Sequence, residues 1–436
     1  MKLTIGKRVK ELRVKNKMTQ EQLAEAVDAC VGYISKIENN RVNNISLSLA
    51  CELASVLNVS LGYLVGESTE NEMMDEEMLR KYGACTADEK RKLLKIVDIL
   101  TFYIRPKKNH ITFISLTQSE LSSDFKLIDK QLRHENKYDI HYILLMFEKN
   151  LWGDFKYFLN CLKQLVEIKK SSLVILNDNN YVISHMKPKN VKVLQIWHAC
   201  GAVKKFGNQI KRQYPVQNYD YVLCNAEYWK DPYSQAFNVE KDQVLVTGMP
   251  RIDTLLNLNG KDEFYLKYPE LKDKKLCLYA PTFRGNIIDG FKIQSFDFTK
   301  IKDYIVLYKF HPLLGDIQCK GGINMNKEDL YTLMQVSNCL ISDYSSVIFD
   351  YSLLNKPMIS YIPDIDEYKQ DIGLNIDFND FPGPVCTDED QLMEALKFED
   401  YDYDKLSYFQ MKYMVYTDGR NTSRVVDTIN QIMEEV

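Results

Sequence analysis

The sequence predicts an α/β protein in which a small all-helical domain precedes two parallel-sheet domains. Residues 5–66 show the pattern of short amphipathic helices, with apolar side chains on one face. From His110 onward, short β-rich apolar runs alternate with helical stretches, which is typical of a parallel sheet covered on both faces. The length of 436 residues is sufficient for roughly two to four domains.

The composition predicts a globular cytoplasmic protein. Hydrophobic residues make up 45% and charged residues 27% of the chain, and the formal net charge of -4 gives no global attraction to nucleic acid or anionic membranes. The ten cysteines are scattered without a CxxC pair, which disfavours a zinc site and suits reduced thiols. The sequence contains neither a signal-peptide core nor the run of about 20 apolar residues that a membrane helix needs.

The N-terminal helices have recognisable boundaries. Ile5, Val9 and Leu12 share one helical face. Thr19 is suited to cap the next helix, "QEQLAEAV", and Gln22 can complete a capping box. The segments "YISKIENN" and "LACELASVLNVSLGYL" predict further helices with a turn between apolar patches.

This pattern resembles the Cro/repressor-type helix-turn-helix family over residues 1–66. The resemblance implies that "CVGYISK" is the recognition helix, that Gln20 contacts a DNA phosphate, and that Tyr33 and Lys36 reach DNA. Nine Lys or Arg and six Asp or Glu give this segment a balance of +3, which is mild for a DNA-binding module. The alternative is a helical module retained for dimerisation or protein contact. Residues 67–108 predict an acidic linker followed by a connecting or dimer-forming helix.

The strand "VKVLQI" ends at His198, where a doubly wound sheet places its ligands. A neutral imidazole at this position can accept a proton from a hydroxyl. The alternative from position alone is a histidine that is hydrogen-bonded within a packed turn.

Four more strand ends carry polar side chains that suit a phosphate. They are Arg251, Thr282 with Arg284, His311, and Asp343 with Ser345 and Ser346. Free backbone N–H groups at a helix start, serine hydroxyls and bidentate arginines are all phosphate ligands. A plain N-cap is the alternative role of Ser345. The sequence lacks a Walker motif and a GxGxxG after a strand, and "DIDEY" at 364–368 predicts a solvated loop rather than a metal site.

Residues from about 110 to 430 resemble the CDP-glycerol glycerophosphotransferase family of teichoic-acid polymerases and primases. The motifs that carry the resemblance are "QIWHACG", "VTGMPRIDTLL", "LYAPTFR", "KFHP", "ISDYSSVIFDYSLLNKPMISYIPDIDEY" and "DGRNTSRVVD". The family implies a GT-B fold of two Rossmann-like domains. It also implies transfer of a polyol phosphate from a CDP-activated donor to a hydroxyl of a cell-surface polymer or glycan precursor, with release of CMP.

The resemblance implies a role for each of these residues. His198 would be the general base, and His311 would stabilise the pyrophosphate or the leaving CMP. The donor phosphates would be bound by Arg251, Arg284, Thr282, Ser345 and Ser346. Asp343 and Asp350 would orient the loop. The implied domains are 1–66 (helix-turn-helix), 67–108 (linker), 109–235 (acceptor side) and 236–436 (donor side).

We therefore expect an enzyme that uses CDP-glycerol or CDP-ribitol and a polyol-phosphate or glycan acceptor. No metal and no cofactor besides the donor is expected. The alternative is a DNA-binding regulator whose GT-B part senses a CDP-polyol, although a sensor has no need of a base at His198. The sequence leaves open a homodimer, and it leaves open peripheral contact with the inner face of the cell membrane through the basic segment "AVKKFGNQIKRQY".

Overall fold

The computed structural model describes most of the chain as two compact units. The described residues are 4–42, 45–57, 59, 61–65, 78–148, 150–286, 290–294, 296–310, 317–397 and 401–435. One unit comprises Met1–Leu93 with Glu148–Phe158, and the other comprises Leu94–Phe147 with Leu159–Val436. Within the described part of the chain, every helix is too short or too polar to span a lipid bilayer.

The first unit contains the predicted helices. They are α1 (Ile5–Lys15), α2 (Gln20–Ala26), α3 (Val31–Glu38), α4 (Leu47–Val56) and α5 (Leu61–Val65), and residues 78–84 are also helical. The predicted capping box of α2 is confirmed, because Thr19 Oγ1 accepts a hydrogen bond from the Gln22 backbone while the Gln22 side chain accepts one from the Thr19 backbone. Val9, Leu23, Ile34 and Leu53 form the fully buried centre of this unit.

A buried carboxylate connects three of these helices. Glu38 is 3% exposed. It accepts hydrogen bonds from Arg13 Nε at 2.5 Å and Arg13 Nη2 at 3.0 Å, and from Gln20 Nε2 at 2.6 Å. This pairing offsets the cost of burying the charge. The amide of Gln20, predicted to contact a DNA phosphate, is therefore bound to Glu38 in this structure.

The second unit is built on two six-stranded parallel sheets. The first sheet has the order β2-β1-β3-β4-β5-β6. Its strands are β1 (His110–Ser115), β2 (Asp139–Leu144), β3 (Leu173–Leu176), β4 (Lys192–Gln195), β5 (Tyr221–Cys224) and β6 (Val244–Val246). The accompanying helices are α6 (Ala87–Leu100), α7 (Ser123–Glu135), α8 (Leu151–Lys170), α9 (Tyr181–Met186) and α10 (Lys230–Phe237). The division into units runs through α6 after Leu93 and through α8 after Phe158, so only the C-terminal parts of these two helices belong to the second unit.

The second sheet has the order β11-β10-β7-β12-β13-β14 and is also parallel. An antiparallel hairpin, β8 with β9, follows β7. The strands are β7 (Leu276–Tyr279), β8 (Phe283–Asn286), β9 (Gly290–Ile293), β10 (Ile305–Tyr308), β11 (Gly322–Asn324), β12 (Cys339–Ser342), β13 (Met358–Tyr361) and β14 (Val385–Cys386). The helices are α11 (Pro250–Asn257), α12 (Lys261–Lys267), α13 (Leu330–Val336), α14 (Val347–Ser352), α15 (Ile365–Asp371), α16 (Glu389–Ala395), α17 (Tyr403–Tyr413) and α18 (Asn421–Glu434).

The sheet topology differs from the predicted donor-side domain, 236–436, at both ends of that range. Strand β6 pairs with β5 and completes the first sheet, so the border between the two sheets falls after Val246. The C-terminal helix α18 packs against the domain that contains the first sheet. There, Asn430 accepts a hydrogen bond from Tyr138 at 2.7 Å and donates one to Glu135 at 3.1 Å. A border drawn from strand order alone misses such a returning helix.

The start of α18 is capped by a residue distant in sequence. Asp253 on α11 accepts hydrogen bonds from the backbone and side chain of Asn421, at 3.0 and 2.8 Å, and from the backbone and hydroxyl of Thr422, both at 2.7 Å. Gly248 has φ +76°, and a Cβ there would lie 1.8 Å from Asn421 Oδ1. The motifs "TGMPRID" and "DGRNTSR" therefore meet at one packed contact.

We expect Asp253→Ala to lower the free energy of unfolding of the second unit by about 2–4 kcal/mol, because four donors at the start of α18 lose their acceptor. Urea unfolding followed by tryptophan fluorescence measures this, since Trp197 and Trp229 are both buried in this unit. Asp303→Ala, an exposed carboxylate of the same unit, is the control and should stay within about 0.5 kcal/mol of wild type. Equal losses in the two variants would contradict the capping role.

Candidate active site

The carboxyl ends of strands from both sheets border one cleft. Two cavities of about 370 Å³ and 360 Å³ occupy it and share His198, Ser345 and Ser346 as lining residues. The first cavity is also lined by Trp197, Ala199, Gly201, Ala202, Val203, Lys204, Phe206, Pro281, Thr282 and Tyr344. The second is also lined by Ser123, Arg251, Thr254, Asp329, Leu330, Tyr331, Val347 and Asp350. Residues predicted from separate strand ends are thus brought together, as expected for parallel sheets.

The two domains are connected beside this cleft by backbone hydrogen bonds. Asn375 N donates to Val203 O at 2.8 Å, and Lys205 N donates to Gly373 O at 3.1 Å. Gly201 allows close approach, because a Cβ there would lie 2.7 Å from the ring of Phe349 on α14. These contacts hold the segment after β4 against the second domain, so His198 and Ser345 face the same space.

One ring nitrogen of His198 makes no hydrogen bond to the residues that the structure describes. Its Nδ1 lies 3.0 Å from the carbonyl oxygen of Asn177. A carbonyl only accepts hydrogen bonds, so Nδ1 carries the proton and Nε2 keeps its lone pair. The Trp197 ring lies against the imidazole, with the ring centroids 3.9 Å apart. The alternative prediction was a histidine that is hydrogen-bonded within a packed turn. It describes Nδ1, which binds the Asn177 carbonyl, but the imidazole also lines both cavities.

The surroundings keep this imidazole neutral. The His198 side chain is exposed to the cleft, but protein surrounds the cleft on both sides. The removal of water by this protein, with a further contribution from the positive charge of Arg251, lowers the pKa of His198 towards about 4, and the bond to Asn177 opposes this shift only in part. A neutral imidazole at neutral pH is able to accept a proton.

Arg251 holds the loop that carries His198 in place through hydrogen bonds. Its Nε donates to Asp124 Oδ2 at 2.8 Å, its backbone N–H donates to Asp124 Oδ1 at 2.7 Å, and its Nη2 also binds Asp124. Its Nη1 donates to the His198 carbonyl at 2.6 Å. The predicted phosphate contact of Arg251 remains a prediction, whereas the observed bonds make it a positioning residue. Asp124 was not identified from the sequence, because its place in the first turn of α7 looks like an ordinary helix start.

Arg284 connects the loops after β7 and β12. Its Nη1 donates to Asp343 Oδ2 at 2.7 Å, and its Nε donates to Asp364 Oδ2 at 2.7 Å. The guanidinium lies 4.9 Å from the Tyr344 ring centroid. Asp343 also accepts the backbone N–H of Thr282 at 2.7 Å. Asp364, expected in a solvated loop, is instead an ion-pair partner, and the phosphate contact of Arg284 remains a prediction.

Hydroxyl groups face the cleft from both of these loops. Thr282 Oγ1 is buried and has no hydrogen-bond partner among the described residues. Ser346 occupies the N-cap position of α14 without making a side-chain capping bond, and Ser345 Oγ accepts the Val347 N–H at 3.4 Å. Only a weak local bond thus supports the N-cap alternative for Ser345, and these hydroxyls have donor capacity for a ligand.

Asp350 lies on α14 at the edge of the second cavity. It is 8% exposed, and its Oδ1 has no hydrogen-bond partner in the described ranges. Burial raises the pKa of Asp350 to about 6. Its predicted role in orienting the loop remains a prediction. His311 lies outside the described residues.

Comparison with known proteins identifies the family. Residues 98–431 match the model of CDP-Glycerol:Poly(glycerophosphate) glycerophosphotransferase, and residues 9–64 match a helix-turn-helix model. The chain belongs to the CDP-glycerol:poly(glycerophosphate) glycerophosphotransferase family. The predicted helix-turn-helix domain is also confirmed.

Similar members of this glycerophosphotransferase family act in teichoic acid synthesis. The teichoic acid ribitol-phosphate primase of Bacillus spizizenii is 30% identical, over 77% of this chain and 94% of the relative. The ribitol-phosphate polymerase TarK of Staphylococcus aureus is 30% identical, over 80% of this chain and 74% of the relative. The glycerol-phosphate primase of Bacillus subtilis is 29% identical, over 60% and 74% respectively.

A solved structure confirms the GT-B prediction. The wall teichoic acid polymerase TagF matches with a TM-score of 0.60 and 21% identity, over 84% of this chain and 99% of that chain. Family membership and fold together establish the predicted enzyme class, transfer of a polyol phosphate from a CDP-activated donor to a cell-surface polymer. They favour this function over the regulator that only senses a CDP-polyol.

We expect His198 to titrate far below the ordinary histidine value, with a pKa of about 4. Heteronuclear NMR of the imidazole signals between pH 8 and pH 4 measures this, and the spectrum of His198→Gln identifies the His198 resonance among the six histidines. The resonance should keep its neutral shift as the pH falls through about 6.5, the reference pKa. A midpoint near that reference value would show that water reaching the exposed face of the imidazole sets its pKa.

Proposed function

We propose that this glycerophosphotransferase uses His198 as the general base that activates the acceptor hydroxyl. The observation that supports this role is an imidazole Nε2 that has no hydrogen-bond partner in the described part of the chain and lies in the same cleft as Ser345 and Ser346. The donor is CDP-glycerol or CDP-ribitol, and the acceptor is a polyol-phosphate or glycan precursor of a teichoic acid. Relatives of both kinds match this chain, at 29–31% identity for ribitol-phosphate enzymes and 24–33% for glycerol-phosphate primases.

The proposed reaction is a displacement at the β-phosphorus of the donor. The acceptor hydroxyl gives its proton to Nε2 of His198 as its oxygen forms a bond to phosphorus. The bond from the β-phosphorus to the bridging oxygen breaks, and CMP leaves with that oxygen. Positioning of the two substrates and stabilisation of the phosphate charge supply most of the rate enhancement in such reactions.

The proposed donor-phosphate site combines hydroxyls with nearby positive charge. Thr282, Ser345 and Ser346 donate hydrogen bonds to the phosphate oxygens. Lys204 lines the same cavity, and burial lowers the pKa of its ammonium group, while the charge of Asp343 opposes this shift. Arg284 holds the two loops that carry these hydroxyls, and Arg251 holds the His198 peptide.

Two parts of this mechanism rest on the resemblance alone. We assign His311 to stabilise the pyrophosphate or the leaving CMP, because the "KFHP" motif matches the family. We also propose that transfer requires no cofactor besides the CDP-polyol, since the proposed roles supply a base and phosphate ligands.

The decisive experiment follows CMP release from CDP-glycerol and from CDP-ribitol, each with and without a polyol-phosphate-bearing acceptor. Wild type should release CMP from one donor in an acceptor-dependent manner. His198→Ala should lose about 10²–10⁴-fold in turnover, the typical contribution of a general base, while the donor dissociation constant changes less than about twofold. The matched control is His185→Ala, an exposed histidine on α9 that does not line either cavity.

Two results would contradict this assignment. Turnover in His198→Ala similar to that of wild type would remove the base role. Loss of donor binding in a folded His198→Ala protein would show that the histidine serves the donor instead.

We propose separately that the helix-turn-helix module binds DNA through α3. Lys36 on this helix is exposed, and Val31 at its start is 38% exposed, so the outer face of α3 is available. Tyr33 is half-buried against the helical core, and Gln20 is bound to Glu38, so Lys36 is the predicted DNA contact with the most accessible side chain.

Lys36→Ala should weaken duplex DNA binding and reduce the salt slope of log K by about 1, because one phosphate contact is lost. Fluorescence anisotropy with a labelled duplex at several salt concentrations measures both quantities. Lys130→Ala removes the same charge outside the module and should leave the slope unchanged. An identical slope in all three proteins would favour the alternative, a module for dimerisation or protein contact.

We also propose peripheral contact with the inner face of the cell membrane through the basic segment after β4. Ile210 is 37% exposed there, and its neighbours Lys211 and Arg212 are exposed. Phe206, the other apolar residue of this segment, stacks on Trp197 at 4.9 Å and does not contribute. The homodimer remains a prediction.

A further inference from the structure

A cluster of two histidines and two carboxylates lies at the edge of the first sheet that is opposite the cleft. His110 is the first residue of β1, and Asp139 is the first residue of β2. The parallel register pairs His110 with Asp139 and Thr112 with His141. Side chains two residues apart point to the same face, so His110, Asp139 and His141 lie together. Glu167, in the last turns of α8, completes the cluster.

His110 has a buried ring nitrogen that makes no hydrogen bond to the described residues. The residue is 1% exposed, and its Nε2 lies 2.8 Å from Glu167 Oε1. A carboxylate accepts hydrogen bonds, so Nε2 carries the proton and Nδ1 is left with its lone pair. Nδ1 is buried and has no hydrogen-bond partner within the described ranges. An unsatisfied buried nitrogen of this kind is costly.

His141 repeats this arrangement beside it. The two imidazole rings are stacked, with centroids 4.1 Å apart and planes inclined by 18°. His141 Nδ1 lies 3.4 Å from Glu167 Oε1, and its Nε2 is buried without a hydrogen-bond partner in the described part of the chain. Each unsatisfied nitrogen faces one carboxylate oxygen of Asp139, at 3.3 Å from His110 Nδ1 and 3.0 Å from His141 Nε2.

The geometry of this cluster suits a single divalent cation. One metal ion between the two rings would bind His110 Nδ1, His141 Nε2 and the Asp139 carboxylate at once. Metal–ligand bonds of about 2.0–2.1 Å place the ligand atoms of a tetrahedral site about 3.3 Å apart. The candidate ligand atoms here all lie within 4.8 Å of one another.

We propose that His110, Asp139 and His141 bind a zinc-class divalent transition-metal ion, with Glu167 orienting the two imidazoles. Imidazole and carboxylate ligands suit Zn²⁺, and a carboxylate that accepts the second ring N–H is the usual outer ligand of a metal-binding histidine. Asp139 is 59% exposed at its side chain, so an ion can enter from solvent and water can complete the coordination.

The proposed metal site stabilises the fold and does not take part in phosphate transfer. Strand β1 has six residues, so the site lies roughly 17 Å from the opposite edge of the sheet. The ion would join the start of β1 to the start of β2, the edge strand of this sheet. This inference replaces the expectation of no metal, which rested on the cysteine pattern and on the loop at 364–368.

The test is Zn²⁺ binding to the full chain after removal of metals with a chelator, followed by competition with a chromophoric chelator and by thermal unfolding. Wild type should bind one Zn²⁺ at least tenfold more tightly than His141→Gln, and Zn²⁺ should raise its Tm by several degrees. His134→Gln, an exposed histidine on α7, is the matched control and should behave as wild type. Because His141 is half-exposed, its replacement by glutamine should leave the apo protein folded, which circular dichroism verifies.

Substitution by Co²⁺ distinguishes this site from adventitious binding to thiols. The visible spectrum should show nitrogen and oxygen ligation without a thiolate charge-transfer band, and His141→Gln should lose it. Equal Zn²⁺ affinity in wild type and folded His141→Gln, or a spectrum dominated by thiolate, would overturn the proposal. Neither readout depends on transfer activity, so failure here is separate from failure of the proposed reaction.

Discussion

The ion pair between Arg251 and Asp124 is the interaction on which the geometry of the cleft depends. Burying two charges is favourable only when hydrogen bonds replace their lost hydration, and three donors of Arg251 serve the Asp124 carboxylate. A further N–H fixes the His198 carbonyl. Two residues along, Asp253 caps the C-terminal helix. The first turn of α11 thus positions the loop that carries His198 and fixes the packing of the C-terminal helix α18.

The same charges determine which protonation states the cleft contains. Removal of water and the charge of Arg251 lower the pKa of His198, whereas burial raises the pKa of Asp350 to about 6. Arg284 is paired with Asp343 and Asp364, so it contributes rigidity to the loops rather than a bare positive charge. The cleft therefore combines a neutral imidazole with hydroxyl groups, which is the arrangement that the proposed proton transfer requires.

Sequence reasoning located the strand ends because apolar runs and turn residues are local signals. It placed His198 at a strand end of the first sheet and Thr282, Ser345 and Ser346 at strand ends of the second, and the structure brings them to one cleft. It did not find the partners of the arginines, since Asp124 is 127 positions from Arg251 and carries only the signature of a helix start. The sequence also did not indicate the observed domain border, because the packing of α18 against the domain of the first sheet depends on contacts between residues that are distant along the chain.

Among the described residues, buried polar atoms without hydrogen-bond partners are found near the cleft and at the opposite edge of the first sheet. Beside the cleft, Thr282 Oγ1 lines the first cavity, where a ligand rich in oxygens would supply the missing hydrogen bond. At the amino edge, His110 Nδ1 and His141 Nε2 face a single carboxylate, which calls for a cation. A parallel sheet keeps these two edges apart, so the proposed ion at one edge would be separated by the length of a strand from the proposed proton transfer at the other.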